Sequence, residues 1–379
     1  LESFICRFGN PLCPHHLVLG GTALGIIGLG TVAGTALYDG NIGEERTTYD
    51  GAAEAIRSPI AAAPSLRELV RYATLAANSH NAQAWKFRIV PRAITILPDF
   101  ARRTPAVDPE DHHLFVSLGC ATENLIVAAA ARGFEATANF DNTGDGSIEV
   151  ALEAAAAKET ASFASITRRQ MTRADYDGVP VPAGDLDALL VSAQSDKVEV
   201  ILITDKARID RILSLVVEGN NTQYDDPTFV AELKKWVRFN DAEALSTRDG
   251  LFSRTTGNPP LPSWFGRTIF SLVVTASEES DKVAKQIRSS AGLAVFIGQA
   301  ADRSHWIDVG RAYQRFGLVA TALGIKHAFV NQAVEVAAVR EMLAIELGIP
   351  GRRPDLLLRF GYAATMPRSL RRTVAEVTE

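Results

Sequence analysis

The period of the apolar positions changes at one place that organises the rest of the chain. Leu66, Leu69, Val70, Ala73 and Leu75 to Ala77 recur at helical spacing, whereas Trp85, Phe87 and Ile89 alternate with Lys86 and Arg88 as the faces of a strand do. The polar stretch within Ala77 to Trp85 is therefore a helix-to-strand turn. A second strand near Ile94 to Leu97 closes a hairpin, and a loop holding Arg102-Arg103-Thr104-Pro105 and Asp108-Pro109 follows. Next comes a helix over Leu114 to Arg132, apolar nearly all round and stopped by Gly133.

That helix recurs. Gly119 to Gly133 set against Gly310 to Gly324 keeps one offset, which also pairs Ala121 with Ala312, Leu125 with Phe316, Ala129 with Ala320 and Phe134 with Ile325. The second copy has its own preceding helix, Leu186 to Ala193, and strand, Val198 to Ile203. Helices with antiparallel strands in each copy predict an α+β fold duplicated within one chain, a covalent pseudo-dimer. The boundaries expected are a hydrophobic segment at 1–40, a first half at 41–160 and a second half at 161–379. An insert at about 218–290 interrupts the second half. Its early part, Phe229 to Phe239, has an amphipathic helical pattern. Its later part, Asp249 to Gly266, is rich in turn formers and aromatics and predicts a long loop laid over a pocket as a lid.

Composition narrows the partners. The 379 residues are 47% hydrophobic and 22% charged with a net charge of −5, so a globular chain is expected and a nucleic-acid partner is not. Cys6, Cys13 and Cys120 are too few and too scattered for a disulfide framework or a zinc site. Leu17 to Tyr38 carries no charge over a length that crosses a bilayer, and reads either as a membrane anchor, helped by Gly21-x-x-x-Gly25 and Gly30-x-x-x-Gly34, or as a secretory signal. Membrane association or export ranks above a cytoplasmic location on that pattern. Adjacent His112 and His113 do not share a helix face and have no third ligand, so no metal is expected. No Gly-x-Ser-x-Gly elbow supports a serine hydrolase.

Two features carry chemistry. The turn gathers Asn78, Ser79, His80, Asn81 and Gln83 where backbone leaves regular structure, which suits a polar planar ligand, although the same residues also cap and turn a chain. Arg169-Gln170-Met171-Thr172-Arg173 offers two guanidinium forks within about one helical turn, the geometry that holds a phosphate, and Arg371 and Arg372 add charge near the C-terminus.

With these motifs the chain resembles the flavin-binding nitroreductase family, and within it the duplicated Acg-type proteins. The family's R-x-S-x-R opening is similar to Arg169, Met171 and Arg173, with methionine in place of serine. Its P-S-x-x-N-x-Q-P-W turn is similar to Ala77 through Trp85, with Ala77, Asn78 and Ala84 as departures. Asn331-Gln332-Ala333 resembles the Asn-Gln-Pro placed at the flavin ring. The resemblance covers about Leu66 to Thr373. It implies FMN as cofactor, held by Arg169, Gln170, Met171, Arg173, Asn78, Ser79, Asn81, Asn331, Gln332, Arg371 and Arg372. It also implies NAD(P)H as electron donor and a nitro, quinone or activated alkene compound as small-molecule acceptor. The alternative it carries is an FMN-sequestering protein whose lid blocks turnover. Because the turn lies in one half and the arginine pair in the other, one complete site is expected between the halves, in a monomeric pseudo-dimer or a homodimer.

Overall fold

The computed structural model describes residues 48–379 apart from Val274 and the side chains of Ile269, Ser271, Leu272 and Val273; the expected hydrophobic segment at 1–40 lies outside the described residues. Helix α1 occupies 48–55 and α2 Leu66–Thr74, followed by the hairpin β1 (Trp85–Val90) and β2 (Ala93–Pro98). Helix α3 (His112–Ala131) then leads to the antiparallel pair β3 (Phe134–Asp141) and β4 (Ser147–Ala154). Through the helices α4 (Ala161–Ile166) and α5 (Ala183–Ala193) the chain then enters β5 (Val198–Ile203).

The next segment contains α6 (Lys206–Asp225), α7 (Pro227–Trp236), β6 (Val237–Arg238), α8 (Asp241–Thr247), β7 (Leu251–Phe252), α9 (Ser253–Thr256), α10 (Ser263–Val273) and α11 (Ala276–Arg288). Strand β8 (Gly292–Gly298), helix α12 (Arg303–Ala322) and strand β9 (Lys326–Phe329) follow, and then α13 (Gln332–Glu335), α14 (Ala337–Leu347), β10 (Leu356–Gly361) and α15 (Val374–Val377).

Strand order demonstrates the duplication. The first sheet runs β1-β2-β4-β3 and the second β5-β8-β10-β9, each fully antiparallel and each visiting its four strands in the same sequence. Helix α3 stands between the second and third strands of its half, as α12 does in the other. The two-residue β1–β2 turn corresponds to everything between β5 and β8, so the insert spans 204–291 rather than starting near Glu218, which is inside α6.

At the centre the 20-residue helices α3 and α12 cross. A Cβ on Gly119 would overlap the Ile307 carbonyl, and one on Gly310 would overlap the Val116 carbonyl. These are reciprocal contacts of equivalent residues, since Val116 and Ile307 share the offset of the two glycines. Both helices end at a glycine in the left-handed region, Gly133 with φ 83° and Gly324 with φ 77°. One apolar core runs through both halves, from Leu69 and Phe87 to Phe316 and Phe360. Among the described residues α3 alone is long and apolar enough to cross a membrane, but it is largely buried in this core.

The expected lid differs from the structure. The lid is not a long loop: 249–266 is broken into β7, α9 and the start of α10, leaving irregular stretches at 249–250 and 257–262. Turn-forming residues of the insert act as helix ends, as at α8, where the Asn240 side chain accepts from the Glu243 N–H, and at Gly257, which closes α9 with φ 81°. The two halves share one core. The last residues return to the first half, where the Glu379 N–H donates to the Phe87 carbonyl at 3.0 Å.

Candidate functional site

The helix-to-strand turn is built against local preference. His80, Asn81 and Gln83 have φ of 50°, 51° and 54°, in the left-handed region that non-glycine residues enter at a cost on the order of 1 kcal/mol each. A dense set of bonds holds them there. The Gln83 N–H donates to Asn78 Oδ1 at 2.9 Å, and the Gln83 side chain donates to the Arg248 carbonyl and accepts from the Arg372 N–H. Asn81 donates to the Leu370 carbonyl and accepts from Arg371 Nη1 at 2.8 Å. A buried chain ties the turn to the central crossing: Gln314 Oε1 accepts from the Ala77 N–H, and Gln314 Nε2 donates to Asn124 Oδ1.

Beside the turn, between the halves, lies a cavity of about 540 Å³, a size suited to a cofactor or small ligand. Of the residues the sequence singled out, Asn78, Ser79, Arg173, Asn331 and Gln332 line it together. The cavity has two chemically distinct walls. One is polar, with the turn, His113, Arg173 and the 331–335 segment; the other is apolar and comes from the insert, which contributes Phe229, Leu233, Phe239, Leu251, Leu261 and Phe270.

Arg173 is presented by a fixed backbone. Its carbonyl accepts from Gln286 at 2.6 Å, and the carbonyls on either side accept from Arg359. Burial, and then the Arg359 charge, lower the pKa of Arg173. Asn331 Oδ1 accepts from the Leu357 N–H at 2.8 Å, while Gln332 Oε1 is buried without a partner. Close packing fixes the Gln332 peptide, since a Cβ on Gly219 of α6 would overlap it.

The remaining predicted residues stand outside the cavity. Gln170 clamps the tail through both main-chain groups of Met366, and Met171 packs against the core beneath the Tyr313 hydroxyl. Arg372 sits against Asp99 and the Glu376 carbonyl. Asn81 and Arg371 bind each other, and Arg371 also donates to the Thr74 and Ala76 carbonyls. Arg169, 4% exposed, donates Nη2 to the Leu75 carbonyl. Guanidinium groups thus cover the carbonyl end of α2, which favours positive charge. Arg169 Nε and Nη1 remain buried without a partner.

Arg57 and Arg368 adjoin this group. Burial, followed by the charge of Arg368, lowers Arg57 to about 9. Among the described residues no ion pair between these arginines and an acidic side chain occurs. Such an excess of buried positive charge, with two donors of Arg169 unspent, fits an anion.

Sequence spacing missed a second group of residues. His113 Nε2 lies 3.4 Å from Glu335 Oε1, and Glu335 Oε2 accepts from Gln223 at 2.6 Å. Burial opposes protonation of His113, but the hydrogen bond to Glu335 and the charges of Asp108 and Glu335 outweigh it and raise its pKa. Burial likewise works to raise the Glu335 carboxyl, and is overcome by His113 and Gln223, which leave its pKa lowered. His80 is pushed down to about 4 by burial and is neutral at pH 7. These residues are far apart in sequence and follow no motif; only the i, i+3 pairing of Asn220 with Gln223 on one face of α6 carries a local signal. Among the described residues there is no cluster suited to a metal ion.

No family model matches the chain. Two curated relatives, both putative NAD(P)H nitroreductases of Mycobacterium tuberculosis, from strain CDC 1551 / Oshkosh and strain ATCC 25618 / H37Rv, are 27% identical over 329 residues, 84% of this chain and 92% of theirs. Over most of its length the chain is thus similar to proteins named as nitroreductases. Solved structures similar to this chain include the FMN-dependent nitroreductase of Mycobacterium smegmatis in complex with NADPH, at TM-score 0.39 and 18% identity over 58% of this chain and 97% of that one. A nitroreductase with bound FMN from Bacteroides fragilis aligns at TM-score 0.34 and 18% identity over 54% and 90%.

Proposed function

We propose that the chain is an FMN-dependent oxidoreductase that takes electrons from NAD(P)H and passes them to a small acceptor of the nitro, quinone or activated alkene class. The observation that carries this reading is the cavity between the halves, where Asn78, Ser79, Arg173, Asn331 and Gln332 converge; the buried donors of Arg169 left without a partner support it. The names of the relatives support it.

Arg169 and Arg173 would hold the phosphate through charge-assisted bonds, and Asn78, Ser79 and the free Gln332 oxygen would meet the polar edges of the ribityl chain and ring. Bound FMN supplies hydride or single-electron transfer, so this chain's residues need only bind, orient and exclude water. Arg371 has its donors committed to carbonyls and Asn81; its part is to fix the turn.

The test is spectroscopic. Purified protein should carry a yellow flavin absorbance that bleaches with NAD(P)H and returns on adding a quinone or nitroaromatic. A flavin that bleaches and is reoxidised by no acceptor would favour the sequestering reading, to which the lid's anchorage on the turn lends support. Protein without flavin, and unable to take it up, would refute both. Arg169→Ala and Arg173→Ala should each weaken flavin retention about tenfold or more, each removing a charge-assisted contact.

A site shared by two halves of one chain needs no second subunit, and we assign a monomer; elution as a dimer in size-exclusion chromatography would oppose this. Membrane association or export is proposed on the uncharged run at 17–38 alone, and cell fractionation tests it.

A further inference from the structure

We propose that His113, paired with Glu335 in the polar wall of the cavity, is the proton donor to a quinone-class acceptor reduced there. The inference rests on the oxidoreductase reading above and adds both a catalytic residue and a substrate class to it.

The chemistry of the cavity selects both. Reduction of a quinone to a hydroquinone takes up two electrons and two protons. Bound FMN, reduced by NAD(P)H, would supply one proton and both electrons together as a hydride. The second proton needs a donor in the cavity wall. His113 lines the cavity with its side chain 7% accessible, close enough to solvent to be recharged and buried enough to be held in one orientation. Glu335 engages Nε2, which leaves the other ring nitrogen for an acceptor oxygen. In the transfer the N–H bond of the imidazolium breaks, an O–H bond forms on the quinone oxygen, and neutral His113 beside the Glu335 carboxylate recovers a proton from water.

The groups around His113 favour this role. Glu335 of α13 and Asp108 ahead of α3 are acidic and hold the proton on the ring. Arg353, before β10, works against it, and the adjoining His112 ring, 4.6 Å away between centroids, and His80 of the turn are both neutral, their pKa values lowered by burial. The facing wall of Phe229, Leu233, Phe239, Leu251 and Phe270 suits an apolar planar molecule whose polar atoms are its carbonyl oxygens.

The experiment compares two acceptors on FMN-loaded protein, with 1,4-naphthoquinone requiring protons and ferricyanide accepting electrons alone. His113→Gln should lower kcat with naphthoquinone about 100-fold, the scale of general acid catalysis, and lower ferricyanide reduction far less. Glu335→Gln should lower the naphthoquinone rate in the same selective way. Imidazole NMR, on protein with or without flavin, should find His113 protonated at pH 7 and its pKa lowered by Glu335→Gln. An unchanged naphthoquinone rate in His113→Gln, an equal loss with both acceptors, or a neutral His113 ring at pH 7 would overturn the proposal while leaving the oxidoreductase reading intact. If wild-type protein with NAD(P)H reduces neither acceptor, that reading fails, and the proposal with it.

Discussion

At the scale of single residues, the structure spends polar groups to hold unfavourable conformations and buried charge. Gln83 is fully buried, and its side chain serves the lid through Arg248 and the tail through Arg372 while its own backbone is left-handed. Gln83→Ala would strand these main-chain groups, and a loss of about 2 to 3 kcal/mol in a denaturant titration is expected. His327 makes a pH prediction. It is 1% exposed, 3.4 Å from the Tyr313 hydroxyl, and burial, with Arg169, Lys326 and Arg359 nearby, lowers it to about 3. The unfolded chain takes up this proton near pH 6.5, whereas the folded chain resists it until about 3. The contribution to stability is therefore present above pH 6.5 and is lost as pH falls towards 3, by roughly 1.4 kcal/mol per unit. Asp355 acts in the opposite sense, since burial raises it to about 6. Subtracting the stability of His327→Phe from that of wild type at each pH isolates the histidine. A difference that stays flat between pH 6.5 and 4 would show that His327 is protonated in the folded chain.

At the scale of elements, the repeat was legible because it rests on helix contacts that tolerate little variation. Gly119 and Gly310 align in sequence because each lets the other helix's main chain approach, and Gly133 and Gly324 align because each ends its helix in the left-handed region. Gly310→Ala should push α12 away from Val116 and cost about 1 to 3 kcal/mol or more, readable as a lower Tm, and Gly119→Ala should match it. The lid was misread because turn-forming residues also cap helices, and sequence alone does not separate Asn240 or Thr275 as a cap from either as a turn. Its anchorage was equally hidden. Asp249 pairs with Arg238 at 2.6 Å and with Arg102, a residue 147 positions away in the other half, and the Gly250 N–H reaches the Asn81 carbonyl. Asp249→Ala leaves two largely buried guanidinium groups unpaired, a loss on the order of 3 kcal/mol. The effect should be local, seen as faster amide exchange over 237–252 with exchange in β8 and β10 unaltered.

At the scale of the whole molecule, the duplication did not produce two independent domains. Leu118 and Leu125 of α3, and Phe316 and Leu318 of α12, belong to one core, and the tail of the second half closes the sheet of the first through the bridge between Phe87 and Thr378. The site follows from the same arrangement. Residues of the turn, the 331–335 segment and Arg173 lie on different halves and meet only when α3 and α12 cross, which is why motifs could name them and spacing could not join His113 to Glu335. A fragment ending at residue 160 should therefore expose the apolar face of α3 and fail to remain a folded monomer, aggregating or self-associating in size-exclusion chromatography. Co-expressed with a fragment from residue 161 onward, it should recover a soluble one-to-one complex that binds flavin. Neither fragment should bind flavin alone, since the polar wall takes the turn and His113 from one and Arg173 and the 331–335 segment from the other. A soluble, cooperatively unfolding monomer of residues 48–160 would show that the first half has a sufficient core of its own and that the shared core is an addition to it rather than its basis.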